Sequence, residues 1–205
     1  MAGSLFVISA PSGAGKSTVI KLLLKRARCP RLDYSVSYTT RAPRPGEVNG
    51  QDYVFVSQEE FLRLVREDGF LEWVKVFDNF YGTSQAWVNQ KLAADRDVLV
   101  EVDVVGAKSL KERFPKAVMI FMVPPNRHEL IRRLTFRRTE DPLELERRVA
   151  QSSWEIEQRR FFDYLVVNDD LTVAAQDVES LILGRGERQV VDEASFWPKF
   201  FAPNP

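Results

Sequence analysis

The chain has 205 residues, 44% of them hydrophobic, and its 29 Lys plus Arg are matched by 29 Asp plus Glu. That length can bury a core and favours a single domain with inserted lobes. The charge balance leaves no overall excess to attract nucleic acid or an anionic membrane, so any anion site must be local.

A lone cysteine, Cys29, excludes an internal disulfide and suits a reducing compartment. A lone histidine, His128, argues against a histidine-rich metal site or a serine-histidine triad. The apolar runs Leu5–Ala10 and Val118–Val123 are six residues each, too short for a secretory h-region or a spanning helix. A soluble cytoplasmic protein with neither nucleic acid nor membrane as partner is expected, and an oligomer is compatible with it.

In chain order, Leu5–Ala10 reads as a buried strand entering a glycine-rich turn, followed by a helix over Ser17–Arg28 with Val19, Ile20, Leu22, Leu23 and Leu24 apolar. Ser35–Val88 differs in texture, dense in turn residues and aromatics such as Tyr38, Phe55, Trp73 and Phe77, and reads as a lobe inserted over about residues 34–90. Val98–Val102 and Val118–Val123 are further strands, each followed by a helical segment, Val105–Arg113 and Arg127–Phe136. Arg137–Glu146 carries arginines around an acidic centre and reads as a mobile lid, placed at 137–149. Tyr164–Val167 is a strand and Thr172–Leu183 a helix, and the aromatic tail 185–205 shows no clear periodicity. Strands alternating with helices predict an α/β fold: a three-layer α/β/α core with a parallel sheet.

The strongest local motif is Ala10-Pro11-Ser12-Gly13-Ala14-Gly15-Lys16-Ser17, with Walker A spacing, after a strand and opening a helix. Gly13 and Gly15 let the backbone curl so that successive N–H groups face phosphate oxygens, aided by the positive end of the helix. Lys16 is expected to bridge the β- and γ-phosphates and the Ser17 hydroxyl to ligate Mg²⁺. Alanine at position 10 replaces the usual first glycine with another small residue. This loop predicts nucleotide binding without fixing the reaction, because GTPases, motors and small-molecule kinases share it. Val98–Asp103 has the form of a Walker B strand, with Asp103 facing the metal.

The segment Ser35–Glu47 concentrates hydroxyls and two arginines, with Pro43 and Pro45 opposing a helix. Arg41 and Arg44, three residues apart in extended chain, are placed to converge on one dianionic group through their planar forks. Tyr53 and Tyr81 are candidate hydroxyl donors to the same group.

The run SVSYTTRAPRPGEVNGQDYVFV, with FLEW at Phe70–Trp73, YGTS at Tyr81–Ser84 and VNDD at Val167–Asp170, resembles the guanylate kinase family from about Leu5 to Leu183. The resemblance implies a P-loop kinase that transfers the γ-phosphoryl group of ATP to GMP with Mg²⁺. It implies that Arg41, Arg44, Tyr53 and Tyr81 hold the GMP phosphate and that Ser37, Glu72 and Thr83 read guanine. It further places ATP on residues 10 to 18, including Thr18, with Asn168 near the adenine. Arg137 and Arg148 become the arginines that reach the transferring phosphates, assisted by Arg133. Glu101, assigned to GMP, stands where the family usually has aspartate; Arg138 replaces a glycine and Phe80 a tyrosine.

Guanine suits Glu72 chemically, since its N1–H and 2-amine lie side by side and one carboxylate accepts both. Adenine lacks the amine and has an unprotonated N1 there. Phosphoryl transfer through a loose transition state relies on positioning and charge neutralisation, so no general base is expected and His128 is dispensable. Two other readings compete: a scaffold domain of the same fold that holds phosphopeptides, and a kinase for another phosphorylated acceptor such as a ribosyl phosphate. An intact Lys16, Ser17 and Asp103 oppose the first, and a complete guanine-reading set opposes the second.

Overall fold

A computed structural model describes residues 3–76, 78–135, 142–184 and 193–202. In chain order the elements are β1 (Leu5–Ser9), α1 (Lys16–Arg26), β2 (Leu32–Ser35), β3 (Tyr38–Thr39), β4 (Val54–Phe55), α2 (Gln58–Arg66), β5 (Phe70–Val76) and β6 (Asn79–Ser84). There follow α3 (Gln85–Ala93), β7 (Asp97–Glu101), α4 (Val104–Arg113), β8 (Val118–Val123), α5 (Arg127–Thr135), α6 (Pro142–Glu157), a 3-10 turn (Gln158–Phe161), β9 (Tyr164–Val167), α7 (Leu171–Ile182) and α8 (Glu193–Phe201). Two compact units divide the chain, Met1–Val7 with Arg31–Val118 and Ile8–Pro30 with Met119–Pro205, so β1 contributes to both.

In the first unit β7 lies between β2 and β1, and β2 pairs with β7 in parallel, Leu32 opposite Asp97 through Ser35 opposite Val100. Val98, Leu99 and Val100 are all buried, as expected for a parallel strand covered on both faces. The inserted segment folds as a second sheet, ordered β4-β3-β6-β5, with β5 and β6 an antiparallel hairpin. Phe61 of α2 stacks on Phe70 at 4.5 Å and Phe80 at 5.4 Å, which gives this sheet a small core of its own. Helix α2 starts where Ser57 accepts a hydrogen bond from the Glu60 N–H, with Glu59 and Glu60 complementing the positive end of the helix. Phe61, Leu62, Leu64 and Val65 fall at helical spacing along α2 and all belong to this core, with Phe61 fully buried.

In the second unit β8 lies between β1 and β9 and pairs with β9 in parallel, from Ile120 opposite Tyr164 to Val123 opposite Val167. Helices α1 and α7 pack together, joined by Arg26 Nε to Glu179 Oε2 at 3.1 Å. Helix α1 ends at Arg26, two residues before its predicted end, because Ala27 turns left-handed at φ 50° and returns its N–H to the Leu24 carbonyl. Residues 142 to 149 of the expected lid are the start of α6, which runs to Glu157; Arg137 and Arg138 lie outside the described residues. The aromatic tail forms α8, with Trp197 and Phe200 buried and the Arg159 guanidinium 4.3 Å from the Trp197 ring centre. Among the described residues no helix is long and apolar enough to cross a membrane.

Candidate functional site

The glycine loop sits between β1 and α1 as its spacing requires. Gly13 and Gly15 both have φ of 85°, a left-handed conformation costly for residues with a Cβ, and Gly15 caps α1 without a side-chain cap of its own. The Thr18 and Val19 N–H groups bond to the Gly15 carbonyl, and the N-terminus of α1 opens directly from the loop, an arrangement that suits an anion. Ser17 and Thr18 are exposed there, while Lys16 is partly buried.

Side chains from later in the chain brace the loop. The buried Asn168 donates its amide to the Ala14 carbonyl at 2.7 Å, and Arg133 donates to the Asn168 carbonyl at 3.0 Å and to that of Ala14 at 3.4 Å. A Cβ on Gly15 would lie 2.5 Å from the Asn168 amide nitrogen, so glycine is required by contact as well as by φ. Asn168 thus holds the loop from behind, a role the sequence does not suggest. Glu129 orients Arg133 at 2.7 Å and its carboxyl is pushed down to about 2, chiefly by its hydrogen bond with Arg132 and then by Arg133. Because the folded pKa is depressed, this cluster contributes fully above the ordinary carboxylate range and is lost only as pH falls towards 2. Arg148 of α6 donates to Ser12 Oγ at 2.9 Å, so this lid arginine rests on the loop itself.

In the first unit, Glu72 and Thr83 are directly opposite in the β5–β6 ladder. The register slips between Phe70 and Glu72, and Phe70, Leu71 and Glu72 are buried in succession, breaking strand alternation. The bulge turns a carboxylate inward, where the Thr83 hydroxyl donates to Glu72 Oε1 at 2.6 Å. A Cβ on Gly106 of α4 would lie 2.8 Å from Glu72 Oε2, so the absence of a side chain there leaves room for the carboxylate. Gly106 carries no motif signal because the approach joins residues far apart in sequence.

Arg41 is largely buried, and its Nη2 donates to both Glu47 oxygens at 2.8 and 2.9 Å, while the Arg44 N–H donates to Glu47 at 2.7 Å. Both contacts hold the Glu47 carboxyl below the usual carboxylate range. The Arg41 guanidinium stands 5.2 Å from the centre of the Tyr53 ring, and the Tyr81 hydroxyl bears on it as well. Arg44 is exposed. Glu47 is thus an internal carboxylate on the arginine expected to take a phosphate, a role not assigned from the sequence. Glu101 accepts a hydrogen bond from Tyr34 at 3.1 Å, and burial, followed by the Glu101 charge, pushes both Tyr34 and Tyr53 up. Glu101, Tyr53, Tyr81 and Arg41 therefore share one neighbourhood. Ser37 links β2 to β3 and its carbonyl accepts the Val54 N–H at 2.9 Å.

Asp103 ends the segment after β7 and caps α4, its Oδ1 accepting the Gly106 N–H at 2.7 Å. A cavity of about 130 Å³ is bordered by Glu72, Trp73, Ser109 and Arg113, and Ser37, Tyr53, Tyr81 and Thr83 do not line it.

A strand that enters a left-handed glycine loop and a helix N-terminus, in an α/β fold with parallel strands, defines a P-loop nucleotide-binding protein. The guanylate kinase family model matches residues 2–184. The guanylate kinase of Dechloromonas aromatica (strain RCB) is 46% identical over 186 residues, 91% of each chain. A guanylate kinase of Thermus thermophilus is 46% identical over 188 residues, 92% of this chain and 84% of its own. The crystal structure of guanylate kinase from Anaplasma phagocytophilum superposes with a TM-score of 0.74 at 31% identity, covering 92% of this chain and 89% of the other. The chain belongs to the guanylate kinase family, whose reaction is ATP:GMP phosphotransfer.

Proposed function

We propose that residues 10–18 bind the ATP phosphates, that the lobe built on β3 to β6 binds GMP, and that the chain works in the cytoplasm with Mg²⁺. The observation that carries the acceptor assignment is the inward carboxylate of Glu72 with Thr83 at 2.6 Å. Such a carboxylate offers two acceptor oxygens to the adjacent N1–H and 2-amine of guanine, and Ser37 completes the reader. Arg41, Arg44, Tyr53 and Tyr81 take the acceptor phosphate, with Glu101 beside them. Asn168, near the adenine by resemblance, acts first on the loop through the Ala14 carbonyl.

For the metal, the donor set is the Ser17 hydroxyl and the Asp103 carboxylate, both hard oxygen ligands. Hard oxygen donors of this kind suit Mg²⁺, which takes one or two protein oxygens and its remaining ligands from phosphate and water. Bound there, Mg²⁺ would offset charge on the β- and γ-phosphates. Lys16 and the loop N–H groups hold the donor phosphates, Arg41 orients the attacking phosphate oxygen, and Arg148 and Arg137 neutralise charge as it moves. No proton need be removed by a side chain, because the GMP phosphate is already ionised at neutral pH.

A crystal structure with GMP bound tests the placement. The guanine edge is expected within hydrogen-bond distance of Glu72 and the phosphate on Arg41 and Tyr81. Arg41 still closed on Glu47, with the GMP phosphate elsewhere, would contradict it.

A further inference from the structure

We infer that Glu155 is a positioning residue for the ATP loop, acting through the backbone of Ser12. Helix α6 presents Arg148, Gln151 and Glu155 at i, i+3 and i+7, one face of a helix. Two of them close on the same loop residue. The Ser12 N–H donates to Glu155 Oε2 at 3.2 Å across 143 residues of sequence, and Arg148 Nη2 donates to Ser12 Oγ at 2.9 Å. Gln151 donates to Glu155 Oε1 at 3.2 Å and so holds the carboxylate from its other side.

Glu155 is 8% exposed, and a buried carboxylate is costly unless its oxygens are bonded. Here Oε2 accepts the Ser12 N–H and Oε1 the Gln151 amide, so one of the donors is the backbone of the phosphate loop. A carboxylate has an obvious disadvantage beside a polyphosphate, since like charges repel. Its presence is explained by geometry: Ser12 precedes Gly13, the first left-handed residue of the loop, and anchoring its N–H fixes where that turn begins. The same contact joins the loop to the helix that carries Arg148, so α6 sets loop and arginine in one register. Asn168 holds the loop at Ala14 and Glu155 holds it at Ser12, which leaves little freedom at Gly13 between them.

With residues 10–18 read as the ATP site, the test compares Glu155→Ala, Glu155→Gln and Glu155→Asp with the parent in steady-state assays at varied ATP and varied GMP. The amide oxygen of glutamine accepts the same N–H, whereas aspartate keeps the charge and loses the reach. Glu155→Ala and Glu155→Asp are expected to lower kcat/KM for ATP about tenfold or more, the scale of a misplaced binding group. KM for GMP should stay within about twofold, and Glu155→Gln should recover kcat/KM for ATP to within about threefold of the parent. Equal impairment of Glu155→Gln and Glu155→Ala, a matching rise in KM for GMP, or no effect of Glu155→Ala would overturn the inference. Should Glu155→Ala fail to fold, the contrast between Glu155→Gln and Glu155→Asp decides alone. Lys16→Ala in the same assay separates the two readings. ATP use that survives it removes the ATP site itself, whereas lost activity with Glu155→Ala unaffected removes only the role of Glu155.

Discussion

Replacing Lys16 by alanine is expected to lower kcat/KM for ATP by about a thousandfold or more, equivalent to about 4 kcal/mol of transition-state stabilisation. The loop is held by Asn168, Arg133, Arg148 and Glu155, so its shape should survive the change. What is lost is a cation against charge that develops between the β- and γ-phosphates, and no neighbouring N–H replaces it. Steady-state kinetics with circular dichroism on the same preparation checks this. Activity within tenfold of the parent, in a folded variant, would show that the loop does not hold the donor.

Glu72→Gln is expected to reduce kcat/KM for GMP by about a hundredfold and to leave KM for ATP nearly unchanged. Glutamine still offers one oxygen, but its amide N–H₂ faces a guanine donor where the carboxylate presented an acceptor. The mismatch leaves buried donors unpaired, which costs about 1–3 kcal/mol for each neutral group and more where charge is involved. Thr83 loses a charged partner in the same change. Measured across both substrates, an unchanged KM for GMP would remove Glu72 as the base reader.

These two sites differ in how much of them the sequence displays. The Walker A loop is read directly, because its glycines, lysine and serine occupy consecutive positions and their chemistry depends on local backbone shape. Glu72 is different. Residue by residue it is a glutamate beside an exposed tryptophan, and only the family resemblance singles it out. Its inward turn depends on a register slip in β5 and on the missing side chain of Gly106, both settled by tertiary packing. Tyr34 with Glu101, Glu155 with Ser12 and Asn168 with Ala14 join residues 67, 143 and 154 positions apart, so no local pattern displays them.

The parallel strands are legible because β7 and β8 are continuous β-branched and apolar runs. The elements of the inserted lobe are not, since β3 and β4 have two residues each and take their order from neighbours. Helix α8 is hidden because Pro198 lies inside it and its aromatics bury only Trp197 and Phe200. The sequence places Arg148 in a mobile flap. In the structure it lies on the regular helix α6 and donates to Ser12 Oγ, a contact 136 residues apart in sequence that no local pattern displays.

The most direct measurement of the central claim is ADP release, followed by a coupled assay, with GMP, dGMP, AMP, UMP and ribose 5-phosphate offered in turn as acceptors. GMP is expected first by a wide margin, dGMP weaker and AMP near background. Turnover of AMP equal to that of GMP, or a preference for the sugar phosphate, would contradict a site built to read guanine.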